Sequence, residues 1–196
     1  MNITLASGSS IRNQILRDSG VTFNVEVKPI DEAAIKQSMI QEGASNVSIV
    51  STLAELKSIK VSSETPGLVI GADQIMILDG VIYDKPKTRE EARKRLITIR
   101  NKTHYLMGSV VVSEGGVSVW RHSSKVELKV RNITDKFIEN YIDQEGDALL
   151  QTVGAYRFEQ RGSQLFSSVK GDFFSVLGLP LLPLLEYLRT RNAILS

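Results

Sequence analysis

The sequence predicts an α/β fold built on a mixed sheet, and three observations carry that prediction. A short apolar run, Ile3 to Ala6, leads through the small polar turn Ser7-Gly8-Ser9-Ser10 into a helical pattern. A compact β-rich run, Leu68-Val69-Ile70, follows a long helical stretch. Two long runs, Tyr105 to Ser113 and Val117 to Val130, the second with alternating Val126, Leu128 and Val130, are separated only by Glu114 and Gly115-Gly116, as in an antiparallel pair. Strand-turn-helix units beside an antiparallel pair make the sheet mixed.

The elements follow in order. After the first strand, Ile11, Ile15 and Leu16 share one face of a helix that Gly20 ends. Phe23, Val25 and Val27 alternate with polar residues, which predicts a strand with one buried face, closed by Pro29. Helices are expected from about Asp31 to Glu42 and from Ser45 onward, the second carrying Val47, Val50, Leu53, Ala54 and Ile59 at helical spacing and Lys57 on its later half. Ile75 to Leu78 and Val81 to Tyr83 flank Asp79-Gly80, a dipeptide suited to a type I′ hairpin turn. Asp73 therefore sits on or between strands. Thr88-Arg89-Glu90-Glu91 reads as a capping box opening a helix to about Arg100. A helix from Thr134 to about Gln144 buries Phe137, Ile138 and Tyr141, a glycine-punctuated stretch runs from Gly146 to Gly171, and a Leu-rich helix closes the chain.

Composition narrows the function classes. The chain has 196 residues, 42% hydrophobic and 23% charged, which suits one globular domain or two small lobes sharing a core. A formal charge of +2 gives no reason to invoke nucleic acid or a membrane surface as partner. With no cysteine there is no disulfide, no thiolate catalysis and no Cys-rich metal site. Met1 to Ser7 lacks a basic segment and a long apolar core, so it does not read as a signal peptide, and a cytoplasmic location fits. The longest nearly apolar run, Phe173 to Leu185, contains Pro180 and Pro183 and is too short to span a bilayer.

Three groups of residues could carry chemistry. Ser7, Gly8, Ser9 and Ser10 enter a helix with Arg12 in its first turn, where N–H groups, hydroxyls and a guanidinium could cradle a phosphate; the plain counterpart is a serine N-cap. Asp31 and Glu32 follow one strand and Asp73 follows Ile70, so carboxylates stand just past two strand ends, where α/β proteins place ligands and where Mg²⁺ or Mn²⁺ would find oxygen donors. Their plain counterparts are a helix cap at Asp31 and a turn aspartate at Asp73. Lys57 and Lys85 could neutralise a polyphosphate or could simply be solvated. His104 and His122 are not spaced as metal ligands and read as structural, and the basic run Arg89, Arg93, Lys94, Arg95 and Arg100 reads as a solvated helix face.

Taken together, these segments resemble the Maf family of nucleoside triphosphate pyrophosphatases through nearly the whole chain. Leu5-Ala6-Ser7-Gly8-Ser9-Ser10-Ile11-Arg12 resembles the family's opening signature, Pro29-Ile30-Asp31-Glu32 its acidic motif and Leu53-Ala54-Glu55-Leu56-Lys57 its helical lysine motif. Ile70-Gly71-Ala72-Asp73-Gln74 matches the motif with the family's catalytic aspartate, Asp84-Lys85-Pro86 its Lys-Pro step, and Val176-Leu177-Gly178-Leu179-Pro180 its ending, while Gly154 to Glu159 falls on the base-recognition segment. Ser10 stands where proline is usual, and Asn13 where a second arginine often follows Arg12.

The resemblance implies a single domain over residues 1–196 with a strongly twisted mixed sheet flanked by helices, in two lobes around a cleft, as in inosine triphosphatase-like folds. It implies hydrolysis of a nucleoside triphosphate to monophosphate and pyrophosphate, Asp73 as the catalytic residue, and a divalent cation, Mg²⁺ or Mn²⁺, held by Glu32 and Asp73. Ser7, Ser9, Arg12, Lys57 and Lys85 become the substrate-binding set, Ile11, Gln74 and Glu159 the specificity positions, and a homodimer is suggested. An ionised Glu159 can only accept hydrogen bonds, which suits guanine's N1–H and amino group, whereas a glutamine there would suit thymine or uracil. The Gln74 and Glu159 pair resembles the branch acting on 7-methyl-GTP, although Ile11 lacks the aromatic ring that a methylated, cationic guanine would reward. A dTTP or UTP pyrophosphatase, a phosphatase or phosphotransferase, and a nucleotide-binding regulator without turnover stay open as alternatives.

Overall fold

A computed structural model describes residues 1–195. β1 (Ile3–Leu5) is buried along its whole length and passes into α1 (Ser10–Asp18), whose N-cap Ser9 accepts from the Arg12 N–H. β2 (Asn24–Val25) departs from expectation. The strand is only two residues long, both exposed; Phe23 packs partly buried against the core, but Val25 and Val27 are exposed, so the expected buried face does not extend along the strand. β2 is an edge strand paired to β1 alone, and a sequence pattern of period two does not report whether anything covers the face.

α2 (Glu32–Gln41) buries no side chain, whereas α3 (Asn46–Ser62) buries Ile49, Val50, Leu53, Ala54, Ser58 and Val61. β3 (Leu68–Leu78) is a single strand of 11 residues that joins the two β-rich runs of the sequence, so of the two placements left open for Asp73, on or between strands, it takes the first. Only Gln74 within it is less than fully buried, as expected of a central strand covered on both faces; glycine and aspartate there look like punctuation only in the sequence. β4 (Val81–Tyr83) returns against β3 with Met76 opposite Tyr83, and Asp79 and Gly80 both take positive φ, 51° and 80°, as the type I′ turn requires.

α4 (Arg89–Ile99) is capped by Thr88, which accepts from the Glu91 N–H at 3.1 Å, while the Glu91 carboxylate accepts from the N–H of Lys87 at 2.7 Å. The capping box thus forms one residue further out than its usual register. β5 (Thr103–Glu114) and β6 (Val117–Val130) are the long strands, followed by α5 (Asp135–Glu145). The glycine-punctuated stretch holds two 3₁₀ turns, Gly146–Gln151 and Arg161–Leu165, and β7 (Phe166–Lys170), which the sequence did not announce. α6 (Phe173–Val176) and α7 (Leu181–Thr190) complete the chain.

The seven strands form one sheet in the order β2-β1-β3-β5-β6-β7, with β4 paired to β3. β1 runs parallel to β2 and β3, while the β3–β4 and β6–β7 pairs are antiparallel, so the sheet is mixed as predicted. No helix among the described residues is long and apolar enough to cross a membrane.

The chain divides into two compact units. The first comprises Met1–Gln74, Met107–Ser124 and the chain from Phe173 onward, around a core that includes Leu5, Leu16, Ile70, Val110, Leu179 and Leu184. The second comprises Ile75–Leu106 and Lys125–Asp172. There the basic residues of α4 are not simply a solvated face: Arg89, Arg93 and Arg100 pair with Asp147, Glu139 and Asp135, tying α4 to α5 and the turn after it.

His104 is structural, as its spacing suggested. It is fully buried in the second unit, its Nε2 lies 2.7 Å from the Tyr156 hydroxyl, and its ring packs against Tyr156 and Phe166. Burial, with the Arg95 charge adding to it, lowers its pKa from 6.5 to about 4. The unfolded chain therefore takes up a proton between those values that the folded chain refuses. The stability held above pH 6.5 is lost as pH falls toward 4, on the order of 3 kcal/mol from this group. Urea unfolding at pH 7.5 and pH 4 should show a steeper acid loss for the native chain than for His104→Gln; equal losses would remove this residue as the cause.

Candidate active site

Alternation along β3 puts Gly71 and Asp73 on one face of the strand and Ala72 and Gln74 on the other. The Gly71 face meets α3 at unusually close range. A Cβ at Gly71 would stand 2.2 Å from the Ala54 carbonyl oxygen and 2.8 Å from the Ser58 nitrogen, so only glycine lets the helix settle there. Ser58 fixes the contact further, its hydroxyl 2.7 Å from that of Ser113 on β5. Lys57 precedes Ser58, and its Nζ donates to Asp73 Oδ1 at 2.6 Å. The same ammonium lies 3.0 Å from Glu32 Oε1 at the start of α2.

Asp73 and Lys57 are nearly removed from solvent, with side chains 10% and 15% exposed, whereas Glu32 is half-exposed at 48%. The buried ion pair keeps a carboxylate inside the protein, and Glu32 opens the cluster to solvent. Asp31, by contrast, caps α2 by accepting from the Ala34 N–H at 3.0 Å, the plain reading of that residue.

Ser7, Ser9 and Arg12 come together with this cluster, and most of their polar atoms are already engaged. Arg12 donates from Nε to the Gly178 carbonyl at 2.8 Å and from Nη1 to the Ala72 carbonyl at 2.9 Å and the Ser7 hydroxyl at 3.2 Å. Burial lowers the Arg12 pKa, and the charges of Asp73 and Glu32 oppose that shift, so the guanidinium stands in the field of both carboxylates. Among the described residues Nη2 is the guanidinium nitrogen without a hydrogen bond.

Gln74 faces the opposite way from Asp73 and donates from Nε2 to the carbonyls of Ser175 and Val176 at 2.8 and 3.3 Å. Arg12 and Gln74 together hold the turn after α6. Gly178 there has φ 97°, and a Cβ on it would sit 3.4 Å from Arg12 Nε and 3.5 Å from Gln74 Oε1. The sequence showed Val176 to Pro180 as a motif without a chemical role; the structure makes it the partner of Arg12 and Gln74. Ile11 is partly buried and packs against the first unit's core.

Lys85 and Glu159 belong to the second unit. Lys85 is exposed in the loop between β4 and α4. Glu159 Oε1 lies 3.5 Å from Arg157 Nε, and the same guanidinium lies 3.5 Å from the buried carboxylate of Glu145.

Among the described residues no group of three or more histidine, aspartate or glutamate side chains is disposed as a metal cage. The available donors are Glu32 and Asp73, two hard oxygen ligands meeting on one ammonium. That set suits Mg²⁺ or Mn²⁺, which commonly take one or two carboxylates and complete their shell with water and substrate phosphate.

Residues 2–191 match the family described as Maf-like protein. A nucleoside triphosphate pyrophosphatase from Paramagnetospirillum magneticum is 47% identical over 186 residues, covering 94% of this chain and 96% of that protein. A 7-methyl-GTP pyrophosphatase from Brucella abortus is 40% identical over 195 residues, covering 99% and 98%. Among solved structures, a dITP/XTP pyrophosphatase from Mycobacterium abscessus aligns with a TM-score of 0.41 at 14% identity over 68% of this chain and 76% of that one, a likeness on which nothing rests.

Proposed function

The chain belongs to the Maf-like protein family, and on that footing we propose that it hydrolyses a nucleoside triphosphate to the monophosphate and pyrophosphate, with Asp73 as the catalytic residue. The observation that carries the assignment is the Lys57 ammonium set between the Asp73 and Glu32 carboxylates with Arg12 in their field. A polyphosphate brings several negative charges, and a site for it needs cations; a water attacking phosphorus needs a carboxylate. Both are present within one cluster.

In the reaction a water oxygen forms a bond to the α-phosphorus while the bond to the bridging α–β oxygen breaks and pyrophosphate leaves. Asp73 orients that water and accepts its proton, then returns it to solvent. Lys57 holds the Asp73 carboxylate in place, and its charge offsets the negative charge that builds on the phosphoryl oxygens. In the first unit Arg12 Nη2 and the hydroxyls of Ser7 and Ser9 bind phosphate; in the second unit Lys85 is the cation for phosphate charge. Glu32 and Asp73 would hold Mg²⁺ or Mn²⁺, which would neutralise phosphate charge and draw electron density from phosphorus. The resemblance alone supports a homodimer.

Glu159 is the acceptor for a guanine-type edge; the 40% identity to a 7-methyl-GTP pyrophosphatase supports this choice. Gln74 has its amide N–H₂ committed to Ser175 and Val176, so it offers the base its Oε1. A panel of nucleoside triphosphates with Mg²⁺ or Mn²⁺, assayed separately for pyrophosphate and orthophosphate, tests both levels. Pyrophosphate release, fastest on guanine or methylated guanine nucleotides, is expected. Orthophosphate release or binding without turnover would overturn the reaction class, and faster turnover of dTTP and UTP would overturn the base assignment.

A further inference from the structure

Arg95 stands in the sequence as one more cation in a basic helix, and the structure sets it apart. Its guanidinium lies over the Tyr83 ring, 4.4 Å from the centroid, and Nη1 donates to the Val153 carbonyl. Half-burial lowers its pKa, with Tyr83, Asp84 and Glu91 opposing the shift, so the charge stands in the field of these groups. A planar cation that stacks on a ring and bonds in its own plane can fix two partners at once, which an ammonium does less well.

The two partners are the ends of two segments. Tyr83 closes β4, held in register opposite Met76, and the next residues are Asp84 and Lys85. Val153 opens the stretch that leads to Glu159. That stretch is stiff. The N–H groups of Ala155 and Tyr156 donate to Thr152, at 3.2 Å to its carbonyl and 3.0 Å to its hydroxyl. Ala155 holds φ at 57°, and a Cβ at Gly154 would meet the Tyr156 ring at 2.1 Å. The Tyr156 hydroxyl is bound to His104, the Arg157 N–H donates to the Tyr141 hydroxyl at 3.2 Å, and Arg157 then faces Glu159. A shift at Val153 therefore passes along a rigid turn to the Glu159 carboxylate.

We propose that Arg95 is a positioning residue for nucleotide recognition, clamping the Lys85 segment to the Glu159 segment so that phosphate charge and base edge are met at a fixed spacing. This rests on the recognition roles given above to Lys85 and Glu159. Arg95 itself touches neither phosphate nor base.

Steady-state kinetics on the fastest and slowest nucleotides of the panel, with Arg95→Met, Arg95→Lys, Tyr83→Leu and Glu159→Gln, test it. Arg95→Met should raise KM for the preferred nucleotide about tenfold and reduce discrimination between the two by a similar factor, with kcat within about twofold of native. Arg95→Lys should restore part of both, because the cation over Tyr83 survives while the in-plane bond is lost. Tyr83→Leu, which removes the ring but not the bond to Val153, should reproduce the effect in smaller measure and decides the matter should Arg95→Met fail to fold. Native KM and discrimination in the folded Arg95 or Tyr83 variants, with discrimination lost in Glu159→Gln, would overturn the role of Arg95 alone. Native discrimination in Glu159→Gln would overturn the recognition role of Glu159, and this proposal with it.

Discussion

Asp73→Asn is expected to lower kcat by about a thousandfold or more while leaving KM within severalfold of native, the size of effect that follows when a positioned general base is removed. The amide has the shape of the carboxylate and can still accept from the Lys57 ammonium through its oxygen, so packing around β3 is preserved. What it cannot do is take a proton from water, and it binds a divalent cation poorly. The substitution does weaken a nearly buried ion pair, because Lys57 and Asp73 are only 15% and 10% exposed. Some loss of stability is therefore expected, about 1–3 kcal/mol, softened by Glu32, which continues to pair with Lys57. Thermal unfolding beside the kinetics separates the two effects. A folded Asp73→Asn protein that turns over at the native rate would remove Asp73 from the reaction.

The candidate site was legible in the sequence to the extent that its residues announce their own chemistry. Asp73, Glu32, Lys57 and Arg12 were drawn from separate segments, and the structure gathers all four in the first unit. What the sequence could not carry was how much of each side chain is already in use. Arg12 reads as a phosphate ligand from its place at a helix start, yet three of its hydrogen bonds go to Gly178, Ala72 and Ser7. Those acceptors are the nearby Ser7 hydroxyl and two backbone carbonyls from distant segments, and a carbonyl leaves no trace in a residue's identity. The same holds for Gln74 and the carbonyls of Ser175 and Val176. The fold was legible where burial is one-sided or turn chemistry is specific, as at Asp79-Gly80. It was not legible at β3, which is covered on both faces and so has no alternation to read, or at β2, where Phe23 meets the core but Val25 and Val27 face solvent. Arg95 was misplaced for a related reason: charge patterning on a helix reports the faces of that helix, whereas Tyr83 and Val153 reach it from other segments.

Gly71→Val is expected to be the most damaging single substitution for the fold, with a loss of stability above about 3 kcal/mol and no measurable activity in whatever remains folded. The obstacle is backbone, not a side chain that could turn aside. The first atom added at Gly71 would stand 2.2 Å from the Ala54 carbonyl oxygen and 2.8 Å from the Ser58 nitrogen, both parts of α3. β3 is the central strand, hydrogen-bonded on both sides, so it cannot retreat; α3 must lift away. Lifting it opens the packing of Leu53, Ala54 and Val61, breaks the Ser58–Ser113 contact, and carries the Lys57 ammonium off the Asp73 carboxylate. A buried carboxylate without its cation is itself strongly unfavourable, so the steric and electrostatic losses fall together. Gly71→Ala isolates the first atom of this series. It should retain a cooperative fold at reduced stability, with kcat lowered at least tenfold because Lys57 and Asp73 no longer meet at 2.6 Å. Chemical denaturation of the native, Gly71→Ala and Gly71→Val proteins, read beside their pyrophosphate release, orders the three. A Gly71→Val protein with native stability would mean that α3 does not approach β3 as closely as 2.2 Å implies, and the account of how Lys57 reaches Asp73 would fall with it.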